Sequence, residues 1–198
     1  MKDNRSGLSE SLRKFGLHRT ERRTPSRAYE RFFENYEETR EAGRVVRRYR
    51  GDYRLRPGTA RGRLLRSLVY LALWLLSAGL LVLCAVQPLD LNRRWYSAAP
   101  QAIAVGALGF GALALARYFA QPQHLELRQY RESSVTLCRA AFAAAAALAL
   151  LAAAYLAGGE PLWALTALAA TAASAAEGLA ERRLAYPLEK AGDDSADT

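Results

Sequence analysis

Residues 67–89 read SLVYLALWLLSAGLLVLCAVQPL, a run of 23 residues without a formal charge. A bilayer hydrocarbon core of about 30 Å requires roughly 20 apolar residues of helix, so this run is long enough to cross it. Two further uncharged runs cover 95–116 and 140–159. A fourth run, 161–176, reaches bilayer length with Glu177 near one end. The sequence therefore predicts four transmembrane helices, at about 66–88, 97–119, 138–158 and 161–181.

A soluble bundle of buried helices is the alternative fold. Helices of soluble bundles usually carry a charged stripe along one face, and these four runs carry none. A secretory signal peptide also fits poorly, because the first apolar run starts only near residue 64 after a long polar segment. Two cysteines exclude a secreted disulfide scaffold. The predicted fold class is an all-α membrane protein with a small polar segment of helix and short strand before the spans.

Basic residues are concentrated at the start of the chain. The net charge is +9, from 28 Lys+Arg against 19 Asp+Glu. Residues 1–66 hold 19 basic and 9 acidic residues, whereas 67–198 have a net charge of −1. Segments flanking transmembrane helices are richest in Lys and Arg on the cytoplasmic side. We therefore expect both termini in the cytoplasm, and we need no nucleic-acid partner to explain the charge. The layout loosely resembles four-span bacterial proteins of the plasma membrane, a likeness that implies no function.

Three regions follow from this layout. Residues 1–61 form a basic cytoplasmic segment, 62–182 form the transmembrane domain, and 183–198 form a cytoplasmic tail whose acidic, small residues favour disorder. Thr24 as N-cap, Pro25 in the first turn and Gly43 as terminator predict a helix in the first region. The predicted elements of that region are helices at about 9–15 and 25–42 and a strand at about 45–55.

Aromatic residues recur at helical spacing within 25–42, and they are Tyr29, Phe32, Phe33 and Tyr36. Burying one large side chain is worth about 1.5–3 kcal/mol, so four on one face are costly to leave in water. We expect this aromatic face to bind a protein partner. Packing within the chain itself is the alternative.

Arginines and aromatic residues alternate from residue 48 to the start of the first span. Tyr49, Tyr53 and Leu55 share one face of an extended strand, and arginines line the other. Basic residues beside a membrane interact with anionic headgroups at about 1 kcal/mol each. A short strand is no nucleic-acid fold, so we expect no RNA partner. The loop at 121–134 is a candidate docking site for this strand. The predicted headgroup-binding residues are Arg48, Arg50, Arg54, Arg56, Arg61 and Arg63.

Three charged residues lie at similar depth near the inner ends of the spans: Glu177, Arg117 and Arg139. We expect Glu177 to form an ion pair with one of these arginines and to lock the helix ends together. A transport site is the alternative, because charges within a membrane often mark ion pathways.

Alanine dominates the last two spans, with 12 of the 18 residues in 140–157. Small residues allow close helix packing in lipid, so a tight antiparallel hairpin is expected. Biased genome composition would explain the alanines equally well. The small-residue spacings include Ala102/Gly106, Ala107/Gly111, Ala170/Ser174 and Ser174/Gly178.

Catalytic and metal-binding patterns are missing from the sequence. The two histidines and two cysteines lie far apart, and no phosphate-binding loop precedes a helix. We therefore expect neither an enzyme nor a cofactor. The leading hypothesis is an accessory, scaffold or assembly subunit of a membrane complex, bound to a protein partner or to copies of itself. A small oligomeric transporter or channel subunit is the alternative.

Overall fold

The structure is a computed structural model that describes residues 36–41 and 44–189, with side chains for Tyr36 and for residues 49–189. Most of this part of the chain is helical. Four helices are long and apolar enough to cross a membrane, which confirms that prediction. They are α1 (Ala60–Ala85), α2 (Trp95–Phe119), α3 (Leu127–Ala157) and α4 (Pro161–Arg182).

Two of the helices begin earlier than the uncharged runs predict. The Thr59 hydroxyl caps α1 by accepting a 3.2 Å hydrogen bond from the Gly62 amide, so its first turn contains arginines. Helix α3 starts at a capping box between Glu126 and Gln129 and contains a π turn at Arg131–Val135. Capping satisfies backbone groups that charge counting does not consider. Charged turns thus extend both helices beyond their apolar runs.

A short turn joins α3 to α4, as predicted from the alanine-rich runs. Gly159 has φ of +79°, a conformation that glycine adopts without strain, and Pro161 follows at the start of α4. Helix α3 packs against both α4 and α2, and α1 also packs against both of them. The four helices therefore form an antiparallel bundle in which sequence neighbours are in contact.

Small and large apolar side chains are sorted between the inside and the outside of this bundle. Its core is rich in alanine and leucine, including Ala144, Leu148 and Ala167. Most of the exposed large apolar residues point outward from the helices, for example Leu76, Phe110 and Leu165. Exposure of so many large apolar side chains would be unfavourable in water, whereas it suits a lipid environment. The sorting is that of a membrane protein.

A three-stranded antiparallel sheet covers one end of the bundle. Its central strand β3 (Tyr53–Leu55) pairs with β4 (His124–Leu125), where Arg54 is opposite Leu125. On its other side β3 pairs with β5 (Leu188–Glu189), where Arg54 is opposite Leu188. The docking expected at the 121–134 loop is thus observed for β3. We call this the sheet end, and the opposite end, with the two short connections, the loop end.

The chain before Tyr49 forms a separate unit, Met1–Arg48. A two-stranded sheet is formed by β1 (Tyr36–Glu41) and β2 (Arg44–Tyr49), of which only the last residue, Tyr49, lies outside this unit. The helix predicted at 25–42 is therefore wrong for 36–41. Pairing of β1 with β2 supplies the backbone hydrogen bonds that residues 36–41 would otherwise form within a helix. The rest of that helix, and the one at 9–15, lie outside the described residues.

Two other boundaries also differ from prediction. The strand expected at 45–55 is divided into β2 and β3, because a bend at Gly51 interrupts it. The disorder expected for 183–198 is wrong for 184–189, where β5 pairs with β3 and Tyr186 is buried. Backbone pairing and one buried aromatic side chain fix this short polar segment. Residues 190–198 lie outside the described residues.

Candidate functional site

Buried polar side chains gather at the sheet end of the bundle. Glu181, near the end of α4, is only 3% exposed. Its Oε1 accepts a 2.5 Å hydrogen bond from the hydroxyl of Tyr186, and that hydroxyl accepts a 2.9 Å bond from Ser134 Oγ. Tyr70 and Tyr118 lie beside them with ring centroids 5.6 Å apart. We call these five residues the tyrosine–carboxylate cluster.

An arginine from the chain before α1 lies against this cluster. The Arg56 guanidinium lies 4.3 Å from the centroid of the Tyr118 ring, and Arg56 is 6% exposed. Its Nη1 donates to the carbonyl of Gln121 at 3.3 Å. A cation over a tyrosine ring is stabilised by the ring quadrupole, more strongly where water is excluded. The arginine thereby joins the first residues of the bundle to the end of α2.

A second arginine, two residues earlier in the chain, repeats the arrangement. The Arg54 guanidinium lies 4.6 Å from the centroid of the Tyr130 ring, and the Tyr130 and Tyr186 rings are 4.9 Å apart. Arg54 and Arg56 thus lie against the protein. Their prediction as headgroup-binding residues is wrong for Arg56, which is buried, because tyrosine faces from α2 and α3 attract these guanidinium groups.

The other predicted headgroup residues are placed differently. Arg61 is exposed on the first turn of α1, and Arg50 is exposed beside the sheet. Arg63 donates to the Gly58 carbonyl at 3.0 Å. The side chain of Arg48 lies outside the described residues, as do Tyr29, Phe32 and Phe33. Tyr36 is the first residue of β1, so the four aromatics do not share one continuous helix face.

The expected ion pair of Glu177 is not formed. Glu177 is 2% exposed and has no salt bridge within residues 49–189. Arg117 is exposed and lies 3.4 Å from Glu132, which also pairs with Arg128 at 2.7 Å. The exposed Arg139 makes no such bridge in the same range. A similar depth in the membrane is not enough to form the ion pair, because Glu177 is buried in the bundle whereas both arginines are exposed.

Several polar atoms around the cluster are buried without a hydrogen-bond partner. They include Glu177 Oε1, Glu181 Oε2, the Tyr118 hydroxyl, and Nε and Nη2 of Arg56. Buried polar groups in proteins nearly always have a partner, and those that lack one in the protein are generally satisfied by water or by a ligand. The density of such atoms distinguishes the sheet end from the rest of the bundle described here.

The environment of Tyr186 keeps its hydroxyl protonated. Burial raises the pKa of Tyr186 far above its usual value near 10, because the tyrosinate would be charged in a poorly solvated site. The neighbouring Glu181 carboxylate raises that pKa further through charge repulsion and by accepting the hydroxyl hydrogen bond. Tyr186 is therefore a hydrogen-bond donor at all ordinary pH values.

A cavity of about 350 Å³ opens beside the cluster between α3, α4 and the segment after α4. Glu181 forms part of its wall, together with the exposed residues Arg139 and Arg182. Pockets that hold small molecules have volumes of roughly 300–1,000 Å³, so the cavity is of sufficient size. The other residues in its wall are Tyr130, Ser134, Val135, Cys138, Phe142 and Leu184.

The loop end is closed by a satisfied polar network. The Tyr155 hydroxyl lies 2.7 Å from Asn92 Oδ1, and the Asn92 amide donates to the carbonyls of Cys84 and Gln87 at 3.0 Å each. Gln101 donates to both Asn92 and Tyr155. This network holds the connection between α1 and α2 against α3, and it leaves little polar capacity for a ligand.

Sequence reasoning missed Glu181 and the role of Arg56. One signal was available for Glu181: it follows Glu177 by four residues, a spacing that puts both carboxylates on one helix face. No pattern indicated Arg56, since its burial depends on the sheet. Among the described residues, no group of three or more His, Cys, Asp or Glu side chains could hold a metal ion.

Comparisons with family models, curated proteins and solved structures find no match for this chain.

Proposed function

We propose that this chain is a scaffold or assembly subunit of a membrane complex, acting through the basic segment that precedes its four spans. The observation that carries the proposal is the three-stranded sheet. It ties three separate parts of the chain into one platform: β3 before α1, β4 in the connection of α2 and α3, and β5 after α4. Such a platform holds the chain before α1, the α2–α3 connection and the segment after α4 together at one end of the bundle.

The arginine distribution supports an orientation with the sheet end, and hence both termini, in the cytoplasm. Among residues 49–189, Arg93 and Arg94 are the only arginines at the loop end. Cytoplasmic flanks of transmembrane helices carry the excess of Lys and Arg. We propose the plasma membrane of a bacterium as its location, from the loose resemblance of the layout to four-span bacterial proteins. The arginines at the sheet end are Arg50, Arg54, Arg56, Arg61, Arg63, Arg66, Arg117, Arg128, Arg131, Arg139, Arg182 and Arg183.

The middle of the bundle supports a structural role over a conducting one. Alanine and leucine side chains fill it, and its few polar groups bond to each other or to the backbone. Ser174 donates to Ser77 at 2.9 Å, and the Trp74 indole donates to the Leu108 carbonyl at 2.9 Å. A conducting path requires polar groups that remain open to water or ions. A single copy with this packing presents no such path at mid-depth.

A transporter or channel subunit is the second candidate. It is favoured by the two buried carboxylates of α4, Glu177 and Glu181, each of which has an oxygen without a partner. Intramembrane carboxylates often belong to ion or proton pathways. Flux into liposomes separates the two candidates. Ion- or substrate-dependent transport by the purified chain alone, lost in Glu177→Gln, would contradict the scaffold proposal.

The scaffold proposal is tested by mild solubilisation, chemical crosslinking and identification of proteins recovered at constant stoichiometry. We expect a partner with the wild-type chain and its loss with Phe32→Ser/Phe33→Ser. The matched control is Leu12→Ser/Phe15→Ser, which alters apolar residues elsewhere in the same segment. If a stoichiometric partner stays bound to the Phe32/Phe33 variant, this contact surface is wrong. If the wild-type chain is always recovered alone, the scaffold proposal itself is wrong.

A further inference from the structure

The wall of the cavity beside the tyrosine–carboxylate cluster carries both negatively and positively charged side chains. Glu181 brings a buried carboxylate whose Oε2 has no hydrogen-bond partner. Arg139 and Arg182 bring two exposed guanidinium groups, neither of which has a salt bridge in the described part of the chain. A ligand that satisfies this arrangement needs a cationic hydrogen-bond donor and an anionic group.

The cavity also lies where a lipid headgroup would be found. Its wall comes from the first membrane turns of α3 and from the end of α4, next to exposed apolar residues such as Leu179. Phe142 and Val135 contribute apolar surface to the wall. A headgroup in this cavity would leave its acyl chains beside the lipid-facing surface of the same two helices. A soluble metabolite would gain nothing from that neighbouring surface.

We propose that this cavity binds a phospholipid whose headgroup carries a phosphate and a primary amine, as phosphoethanolamine does. The phosphate is held by Arg139 and Arg182, since guanidinium groups bind phosphate oxygens through paired hydrogen bonds. The ammonium group donates to the Glu181 carboxylate. The proposal goes beyond a scaffold role, because it assigns a specific lipid to the protein.

The chemistry of the site discriminates among common headgroups. A quaternary ammonium, as in phosphatidylcholine, has no N–H to donate to the unpartnered oxygen of Glu181. An anionic headgroup without an amine, as in phosphatidylglycerol, would bring its charge close to the buried carboxylate without a compensating cation. Of these three headgroups, only phosphoethanolamine supplies both N–H donors for Glu181 and a phosphate for the two arginines. Discrimination by loss of a hydrogen bond to a buried charged group is typically large.

The test uses the delipidated full-length chain in detergent, with native mass spectrometry and thermal unfolding as readouts. The probes are phosphatidylethanolamine, phosphatidylcholine and phosphatidylglycerol with identical acyl chains. We expect the wild-type chain to bind phosphatidylethanolamine at least about tenfold more tightly than the other two, the scale of one lost charge-assisted hydrogen bond. Equal affinity for the three lipids would overturn the proposal.

Two variants examine the two halves of the headgroup. Arg139→Gln/Arg182→Gln changes exposed side chains, so the fold is retained, and phosphatidylethanolamine binding should fall about tenfold or more. Glu181→Gln keeps an oxygen that accepts from Tyr186, and it should remove the preference for phosphatidylethanolamine over phosphatidylcholine. The control is Arg183→Gln, an exposed arginine outside the cavity wall, which should leave binding unchanged.

Other outcomes would reject the site or its ligand. Unchanged phosphatidylethanolamine binding in Arg139→Gln/Arg182→Gln would show that the lipid binds elsewhere. An equal loss of binding in Arg183→Gln would show that binding depends on the overall positive charge of the surface and not on this cavity. Free phosphoethanolamine is the final probe, and we expect little stabilisation from it. If it stabilises the wild-type chain as much as the lipid does, the ligand is a soluble phosphoamine and the lipid assignment is wrong.

Discussion

The hydroxyl of Tyr186 and the carboxylate of Glu181 are joined by a 2.5 Å hydrogen bond between the segment after α4 and α4 itself. Ser134 of α3 extends this bond into a chain of three groups. Because hydrogen bonds to a charged acceptor are stronger than neutral ones, this short chain fixes the segment after α4 on the helix bundle. Side-chain hydrogen bonds thus hold the sheet end in addition to backbone pairing.

Replacement of Tyr186 by phenylalanine should destabilise the protein. The change removes the donor to Glu181 and the acceptor for Ser134, and it leaves a buried carboxylate with neither oxygen bonded. We expect a loss of about 1–3 kcal/mol in the free energy of unfolding, measured by thermal unfolding in detergent. Tyr96→Phe at the loop end is the control. Equal effects in the two variants would contradict the role assigned to Tyr186.

Alkaline pH should lower the free energy of unfolding that Tyr186 contributes. The pKa of Tyr186 is raised in the folded chain by burial and by Glu181, whereas in the unfolded chain it is about 10. The folded state therefore retains a proton that the unfolded state loses, and the contribution of Tyr186 to stability, complete below pH 10, decreases as the pH rises above it. Unfolding measured from pH 8 to 11 should show a steeper decline in the wild type than in Tyr186→Phe. Parallel curves would contradict this linkage.

Replacement by a larger side chain should destabilise the protein at one glycine of the membrane helices and be tolerated at another. A Cβ at Gly178 would lie 3.3 Å from the Phe142 ring and 3.4 Å from Ala141, whereas one at Gly106 would meet nothing within 4 Å. Gly178→Leu should overpack the contact of α3 and α4 and cost about 1–3 kcal/mol. Gly106→Leu places its side chain on the outer surface and should be tolerated. Thermal unfolding of both variants measures the difference, and similar losses would show that the α3–α4 contact is looser than described.

Backbone pairing of β3 should control access to the segment after α4. The amide of Leu55 donates to the Pro187 carbonyl at 2.9 Å. Leu55→Pro removes this donor and should release the segment, so that trypsin cleaves after Arg183 at a lower protease concentration. Leu55→Ala keeps the amide and is the matched control. Equal protection of the two variants would show that side-chain contacts alone hold the segment.

The four spans were predictable because the bilayer imposes a length that any uncharged run reveals. The alanine-rich pair 140–157 and 161–176 also predicted a close hairpin, and α3 and α4 do pack together. The boundaries were less predictable. Capping groups at Thr59 and Glu126 extend α1 and α3 into charged sequence. These hydrogen bonds cannot be inferred from the positions of charged residues.

The 25–42 segment shows a different limit. Its aromatic spacing favoured a helix, yet 36–41 forms a strand beside β2. A periodicity carried by four aromatic residues does not exclude a strand. The choice depends on pairing with Arg44–Tyr49, which is a contact between segments.

By itself the sequence determined the number of spans, their lengths and the location of positive charge, because each follows from composition along a single helix. Only the tertiary structure decided which charges are buried and with what. Glu177 and Arg117 occur at the same depth but point to different surroundings, whereas Arg56 and Tyr118 meet across 62 residues of chain through the sheet. The depth of a residue in the membrane follows from its position along one helix. The burial and the partners of its side chain depend on the neighbouring helices that pack against it.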